Sequence, residues 1–331
     1  MKTNSPEISI LIVVRNEEKH ILPCIKSMEQ QLALETKWEL IIIDGMSEDN
    51  TVAIASQYLN TCDYSWKILD NPKRILASGW NIGIKAAQAP LVMRVDAHAE
   101  LLPGYIESGL QTLRELPDVS AVGGQLKTIG KGFFGKIIQA ALSSRVAMGN
   151  SSFRTSAKSG YYDTAVYALY RKKTLLECGL LNESLIRHQD NDLHLRIKNL
   201  GGKFYLNENM KAIYYCRSSI PAVLKQMFLI GYYIPDIFFS GACSKRHVIP
   251  FLFYLGILLS MAFYPLSPVF PTTGAAIFFA YLFVIFTFCI GMLLKEKNIF
   301  LLLNCILIPC LHMAYASGTA LGFLRKLGNQ S

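Results

Sequence analysis

The chain has 331 residues, 51% of them hydrophobic and 17% charged, with a formal net charge of +9. This length holds one large domain or two smaller ones, and the charge suits an anionic substrate or membrane face, with no nucleic-acid motif beside it. Eight scattered cysteines with no Cys-x-x-Cys exclude a disulfide framework and a cysteine zinc site, and fit a reducing compartment. From His247 onward the only charged side chains are Lys295, Glu296, Lys297, Arg325 and Lys326, so a charged domain precedes an apolar segment.

Ile8–Val14 reads as a buried strand, and Glu17–Gln31 follows with apolar residues at helical spacing. It runs into Arg15-Asn16-Glu17-Glu18, not a small-residue cleavage site, so no signal peptide is expected. A second strand, Trp38–Ile43, ends at Asp44-Gly45. Cap residues Ser47 to Thr51 then open a helix through Tyr58. Trp66–Leu69 is a short third strand, Ala77–Ala87 a helix and Leu91–Val95 a fourth strand. Pro103 opens a helix to about Leu116, and Val119–Val122 is a fifth strand. Strands alternating with helices predict an α/β fold with a mostly parallel sheet and right-handed crossovers. Gly130–Gly160 reads as a loop region around one helix, about 134–148. Ala165–Tyr170 is a further strand, and the next helices run to Cys178 and from Arg187.

Polar groups recur where these strands end: Asn16-Glu17, Asp44, Asp70-Asn71 and Asp96. In a parallel sheet those ends share one edge, where ligands of open α/β sheets bind. Asp96 and His98 stand two apart, as a pair that can hold a divalent cation and, through it, a diphosphate. A strand-end turn with two solvated polar residues explains the same pair, and the spacing alone does not decide. No Gly-x-Gly-x-x-Gly and no Walker loop follows the first strand, so a metal is expected to neutralise phosphates here instead of backbone amides.

Ile220–Ser240 is apolar and aromatic with Lys225, Gln226 and Asp236 interspersed, as in an interfacial helix. The stretches 248–267, 272–294 and 299–324 are each about long enough to cross a bilayer. The first two carry no charge and are expected to span. The third contains Asn304, Pro309 and His312, so a re-entrant or tightly packed course stays open for it. Basic residues at 245–246 and 295–297 place the N-terminal domain in the cytoplasm, although Arg325-Lys326 disagrees if the third segment spans.

Five segments in order, ISILIVVRNEE, WELIIIDGMSEDNT, GWNIGIKAA, LVMRVDAHAE and HQDNDLHLR, resemble glycosyltransferase family 2, over about Ile8 to Tyr233. The Asp-Ala-His form and GNSSFRTSAKSGYYDT resemble its bacterial exopolysaccharide, succinoglycan-type branch. The resemblance implies a GT-A type, Rossmann-like nucleotide-sugar domain over 1–219, an interfacial helix region over 220–246 and a membrane segment over 247–331. It implies nucleotide-sugar contacts at Asn16, Glu17, Asp44, Asn81, Asp96 and Gln226, with Asp44 accepting from a uracil ring. It puts Mg2+ or Mn2+ on Asp96 and His98, and the catalytic base at Asp190. The sequence departs from the family at Gly45 and Gln189, where acidic residues are frequent, and in a degenerate diphosphate-side element at Gln226 and Tyr232.

On a helix Asp190 and Asp192 point about 200° apart. Asp192 can pair with Arg196 along one face, which leaves Asp190 free as the base, with partial burial expected to raise its pKa. The expected activity is inverting transfer from a UDP-sugar to a lipid-linked saccharide at the cytoplasmic membrane face, in exopolysaccharide or cell-surface glycan synthesis, with membrane lipids and polysaccharide-assembly partners. A multi-pass inner-membrane location follows. The alternatives are a polyprenyl-phosphate glycosyltransferase and a non-catalytic nucleotide-sugar-binding subunit.

Overall fold

A computed structural model describes residues 5–31, 36–97, 99–149 and 158–328. The elements follow in chain order: β1 (Ile8–Val14), α1 (Ile21–Glu29), β2 (Trp38–Asp44), α2 (Thr51–Leu59), β3 (Ser65–Asp70), α3 (Leu76–Ala86) and β4 (Leu91–Asp96). Then come β5 (Ala99–Leu101), α4 (Tyr105–Glu115), β6 (Val119–Ile129), α5 (Gly132–Leu142), α6 (Arg145–Met148), β7 (Gly160–Tyr162), β8 (Leu169–Arg171), α7 (Lys172–Glu177), α8 (Gln189–Asn199) and β9 (Lys203–Tyr215). The C-terminal part carries α9 (Ile220–Tyr232), α10 (Pro235–Phe238), α11 (Lys245–Ala262), α12 (Val269–Glu296), a 3-10 turn at Ile299–Leu303 and α13 (Asn304–Gly328).

Among the described residues nine strands form one sheet in the order β3-β2-β1-β4-β8-β6-β9-β5, with β7 on β9. The first four pair in parallel. β8 is antiparallel to β4 and β6, and β5 and β7 are antiparallel to β9. The run ISILIVV is apolar on both faces because both faces are covered. Ile10 and Ile12 pack with Ile25 and Met28 of α1, whereas Leu11 packs on the other face with Trp80 and Ile84 of α3. Each such buried side chain contributes roughly 1.5–3 kcal/mol over an exposed one.

The main surprise is β9, the longest strand, which the sequence does not announce. Asn207-Glu208-Asn209 interrupts its alternation, yet Phe204, Leu206, Met210 and Ala212 are buried. β6 likewise runs past the expected end at Val122. Gly123-Gly124 looks like a stop, but a Cβ on Gly124 would sit 2.0 Å from the Met210 carbonyl oxygen, so the glycine serves a close approach of β6 to β9 and not a turn. The strand expected over Ala165–Tyr170 shrinks to Leu169–Arg171.

The chain divides into two compact units, Met1–Lys127 with Ser152–Tyr214, and Thr128–Ser151 with Tyr215–Ser331. The second unit holds the apolar helices. Among the described residues two runs are long and apolar enough to cross a membrane, Val269–Glu296 and Ile299–Gly328. The second and third expected stretches are those two runs, and the first falls among the shorter apolar helices, at His247–Ala262. α11 ends at Ala262, and the chain turns through Phe263–Ser267, a stretch that contains Pro265 and is followed by Pro268. The third stretch runs on through Pro309 and His312, where polar groups find partners: the Pro309 carbonyl accepts from the Tyr254 hydroxyl at 3.1 Å, and the His312 ring nitrogens lie 2.8 Å from Tyr281 Oη and 3.1 Å from the Ala147 carbonyl, whereas the Asn304 side-chain amide is buried with no partner among the described residues.

α9 and α13 pack backbone to backbone. A Cβ on Gly231 would stand 2.1 Å from the Tyr315 carbonyl oxygen, one on Gly318 2.1 Å from that of Phe228, and one on Gly322 2.2 Å from that of Tyr232. This is the small-residue packing that lets two helices touch without intervening side chains. Beyond it, Arg325 lies over the Tyr232 and Tyr233 rings at 4.6 and 5.1 Å and bonds Asp236 at 2.7 Å, while Lys326 reaches the same carboxylate at 3.3 Å. The two basic residues that disagreed with the charge rule are thus balanced in part within their own unit.

Candidate active site

The parallel register brings the strand-end carboxylates to one edge. Val13 stands opposite Asp96 on one side, Val14 opposite Asp44 on the other, and Asp44 opposite Asp70. The strand order reverses between β1 and β4, and ligands enter open sheets at such a switch point. The recurrence of acids at successive strand ends therefore reflects a shared edge.

The loops after β1 and β2 are zipped together. The Asn16 amide N–H donates to Ser47 Oγ at 2.9 Å, and Asn16 Oδ1 accepts from the Glu48 N–H at 2.8 Å. The Glu17 N–H donates to Thr51 Oγ1 at 2.7 Å, and Glu17 Oε2 lies 2.8 Å from His20 Nδ1. Asp44 is buried and accepts from the Ser47 N–H at 2.9 Å and hydroxyl at 2.6 Å, which fixes the direction of its remaining lone pairs. Asn16 and Met46 adopt positive φ, 55° and 58°. At Met46 that conformation costs about 1–3 kcal/mol, and such strain gathers at functional edges.

Asn81 has a different occupation. Its amide donates to the Leu181 carbonyl and to Glu183 Oε1, each at 2.9 Å, and its oxygen accepts from the Leu181 N–H at 2.9 Å. A ligand could use only the second lone pair of that oxygen. Gln226 lies on α9, in the second unit. His98, and with it half of the expected metal pair, lies outside the described residues. No group of three or more His, Cys, Asp or Glu suited to a metal occurs among the described residues.

Asp190 opens α8, just after His188, whose φ is 62°. It is not free, as the sequence suggested. Arg94 Nη1 donates to Asp190 Oδ1 at 2.5 Å, and the guanidinium lies 4.5 Å from the centre of the Trp80 ring. Side chains two apart on a strand share a face, so Arg94 and Asp96 stand on the same side of β4. Arg94 is the candidate site residue that sequence reasoning missed. The signal was present in LVMRVD: an arginine inside a buried strand needs a carboxylate partner.

This pairing reverses the expected titration of Asp190. Burial works to raise its pKa, but the Arg94 charge, His194 and the Arg94 hydrogen bond together outweigh it and hold the carboxyl below the usual range. The side chain keeps 51% of its surface open. Behind Arg94, Tyr170 Oη lies 2.8 Å from His194 Nε2, and His194 Nδ1 lies 2.8 Å from Thr164 Oγ1. Burial pushes His194 down to about 4, so it is neutral near pH 7. Asp192 takes the structural task the spacing assigns it, accepting from Arg196 Nε at 3.0 Å and Nη2 at 2.7 Å.

Among the described residues Arg94 Nε and Gln189 Oε1 are buried with no hydrogen-bond partner. Buried polar groups are nearly always satisfied, so these two atoms beside Asp190 leave hydrogen-bonding capacity that a polar ligand could use. If Arg94 sets the ionisation of Asp190, then Arg94→Met moves the acid limb of the pH profile of kcat/KM to higher pH. The sign follows from the pair: without the cation the carboxyl protonates more readily. Turnover at pH 7 also falls by ~10²-fold, the cost of misplacing a reacting group by about 1 Å. An unchanged acid limb in Arg94→Met would assign Arg94 to packing alone.

Comparison with known proteins agrees with this geometry. Residues 9–178 match the family model described as glycosyl transferase family 2. Over 324 residues the chain is 28% identical to a dolichyl N-acetyl-alpha-D-glucosaminyl phosphate 3-beta-D-2,3-diacetamido-2,3-dideoxy-beta-D-glucuronosyltransferase of Methanococcus voltae, covering 96% of this chain and 97% of that protein. The mannosyltransferase PcManGT of Pyrobaculum calidifontis, solved with GDP-Man and Mn2+, superposes with a TM-score of 0.59 at 15% identity, covering 98% of this chain and 89% of that one. GalNAc-T7, solved with UDP, GalNAc and Mn2+, gives a TM-score of 0.53 at 14% identity, covering 73% of this chain and 52% of that one. The fold is of the GT-A type, and the chain belongs to glycosyltransferase family 2 and is a glycosyltransferase.

Proposed function

We propose that this glycosyltransferase moves a sugar, with inversion, from a nucleotide-sugar donor to a lipid-linked saccharide acceptor at the cytoplasmic face of a membrane, in the synthesis of a surface polysaccharide. The observation that carries the reading is the edge itself. Asp44 and Asp96 end neighbouring parts of the sheet at the switch point, and Asp190 is tied to β4 through Arg94. In this reading Asp44 accepts from the base of the nucleotide, uridine by expectation, and Asn16 and Glu17 shape the loop around it.

Asp96 and His98 would hold Mg2+ or Mn2+. Two protein ligands suffice where substrate phosphates complete the shell, so the carboxylate at the end of β4 suits the ion. Bound there, the ion supplies Lewis-acid stabilisation of the departing diphosphate. PcManGT and GalNAc-T7, each solved with Mn2+ beside its donor or nucleotide, support a divalent ion.

Asp190 takes the acceptor hydroxyl proton. The acceptor oxygen bonds to the anomeric carbon as the bond from that carbon to the phosphate oxygen breaks. The electron pair leaves with the nucleoside diphosphate, and attack opposite the leaving group inverts the centre. Arg94 keeps the base ionised and aimed.

The name of the Methanococcus voltae relative places its acceptor sugar on a dolichyl phosphate, and the two apolar helices here suit an acceptor held in a bilayer. A donor screen on detergent-purified protein tests the reading. Turnover is expected with a UDP-sugar and a saccharide on polyprenyl diphosphate, in Mn2+ or Mg2+ and not in EDTA. Transfer to bare polyprenyl phosphate, giving an acid-labile monophosphodiester, would replace the proposed acceptor.

A further inference from the structure

The first turn of α5 presents two phenylalanines to solvent, Phe133 at 48% and Phe134 at 46% exposure. They are held there. Gly132 adopts a φ of 70°, which turns the chain sharply into the helix, while Gly135, Ile137 and Ile138 behind them are buried. The Phe133 ring meets that of Phe300 edge-on, 5.0 Å between centroids, and Phe300, Ile299 and Leu303 are themselves 54%, 59% and 42% exposed. All of these belong to the second unit. Around them stand exposed Lys131 and Lys136, and next in the chain to Ile299 stand Lys295 and Lys297 with one acid, Glu296.

We infer that α5 is a second membrane contact, its Phe133–Phe134 turn seated among the acyl chains and its lysines at the head groups of an anionic bilayer. Two observations select lipid as the occupant. The patch is continuous, through Phe133 and Phe300, with the start of Ile299–Gly328, one of the two runs apolar enough to enter a bilayer. The flanking charge is four lysines to one glutamate, which complements anionic lipid. An apolar turn ringed by lysines is how monotopic helices lie in an interface. The consequence concerns the sequence order: α5, which comes in the chain between β6 and β7, grips the membrane as well as the helices near the C-terminus. The inference rests on the membrane reading of the C-terminal helices.

Its test keeps the two apart. The three native tryptophans, Trp38, Trp66 and Trp80, all lie in the first unit and provide a constant background. Phe133→Trp, Phe134→Trp and, as a reference on α12, Phe283→Trp are each introduced into the full chain. Each is placed in phosphatidylcholine–phosphatidylglycerol vesicles with or without brominated acyl chains, and iodide is added from the aqueous side. The added emission at 133 or 134 should be quenched by brominated lipid to within about twofold of the 283 probe, and spared by iodide. Quenching at 283 with iodide quenching at 133 and 134 overturns the inference and leaves the membrane reading standing. Protection of 133 and 134 from both quenchers means that protein covers the patch, and also overturns it. No bromolipid quenching at 283 removes the membrane reading and the inference together.

Discussion

Asp190→Asn is expected to lower turnover by ~10²–10⁴-fold, the usual worth of a positioned general base, while donor affinity stays near that of the parent chain. The asparagine keeps the shape of the side chain, and its oxygen can still accept from Arg94 Nη1, so the start of α8 should hold. What goes is the basic lone pair. Asp192→Asn should act the other way: it weakens the bond to Arg196 and lowers thermal stability, with turnover little changed. Measuring turnover, donor affinity and Tm for both variants separates base from scaffold. A folded Asp192→Asn without turnover beside an active Asp190→Asn would exchange the two roles. Because Arg94 holds Asp190 below the ordinary carboxylate range, the parent enzyme should keep its rate well into mildly acidic conditions. The same depression makes Asp190 a weak base, so its contribution comes from placement and from accepting the proton late, as the new bond forms.

Asp96→Ala is expected to cut transfer by ~10²–10³-fold or more, as when a single preorganised group facing the developing charge is lost. Unlike the change at Asp190, this one should also weaken donor binding, and it should remove the dependence of that binding on Mn2+ or Mg2+. Nucleotide affinity measured with and without the ion gives a readout that does not need turnover. If Asp96→Ala still binds nucleotide in a metal-dependent way, the ion sits elsewhere and Asp96 serves the ribose or the loop.

The sequence showed the edge better than the inside of the site. Strand-end acids at Asp44, Asp70 and Asp96 are visible because a parallel sheet converts a repeat in the chain into a row in space. The Asp192–Arg196 pair is visible because four residues make one helical turn. Arg94–Asp190 is not a local pair: its members lie far apart in the chain, and nothing in either neighbourhood names the other. The titration of Asp190 was misjudged for the same reason, since burial is local information and a cation from another strand is not. β9 escaped notice because its pairing with β5, β6 and β7, not its own alternation, makes Asn207–Asn209 part of a strand. Asn81 is expected at a ligand because it lies in a family motif, and the sequence does not show that its amide also ties α3 to the segment at Leu181–Glu183.

The glycine contact between α9 and α13 has a consequence for how the protein is made. α9 leaves the ribosome before the surface it was shaped for, Gly318 and Gly322, which arrives only with α13. Until then its Gly231 groove has no backbone to meet, and the second unit cannot close. Assembly of that unit must therefore wait until α13 has been made, whatever the first unit has already achieved, since the sheet has its own core. A chain that stops before Gly318 should carry a finished catalytic fold and an α9 with nothing to hold it, and a quality-control protease would meet that helix first.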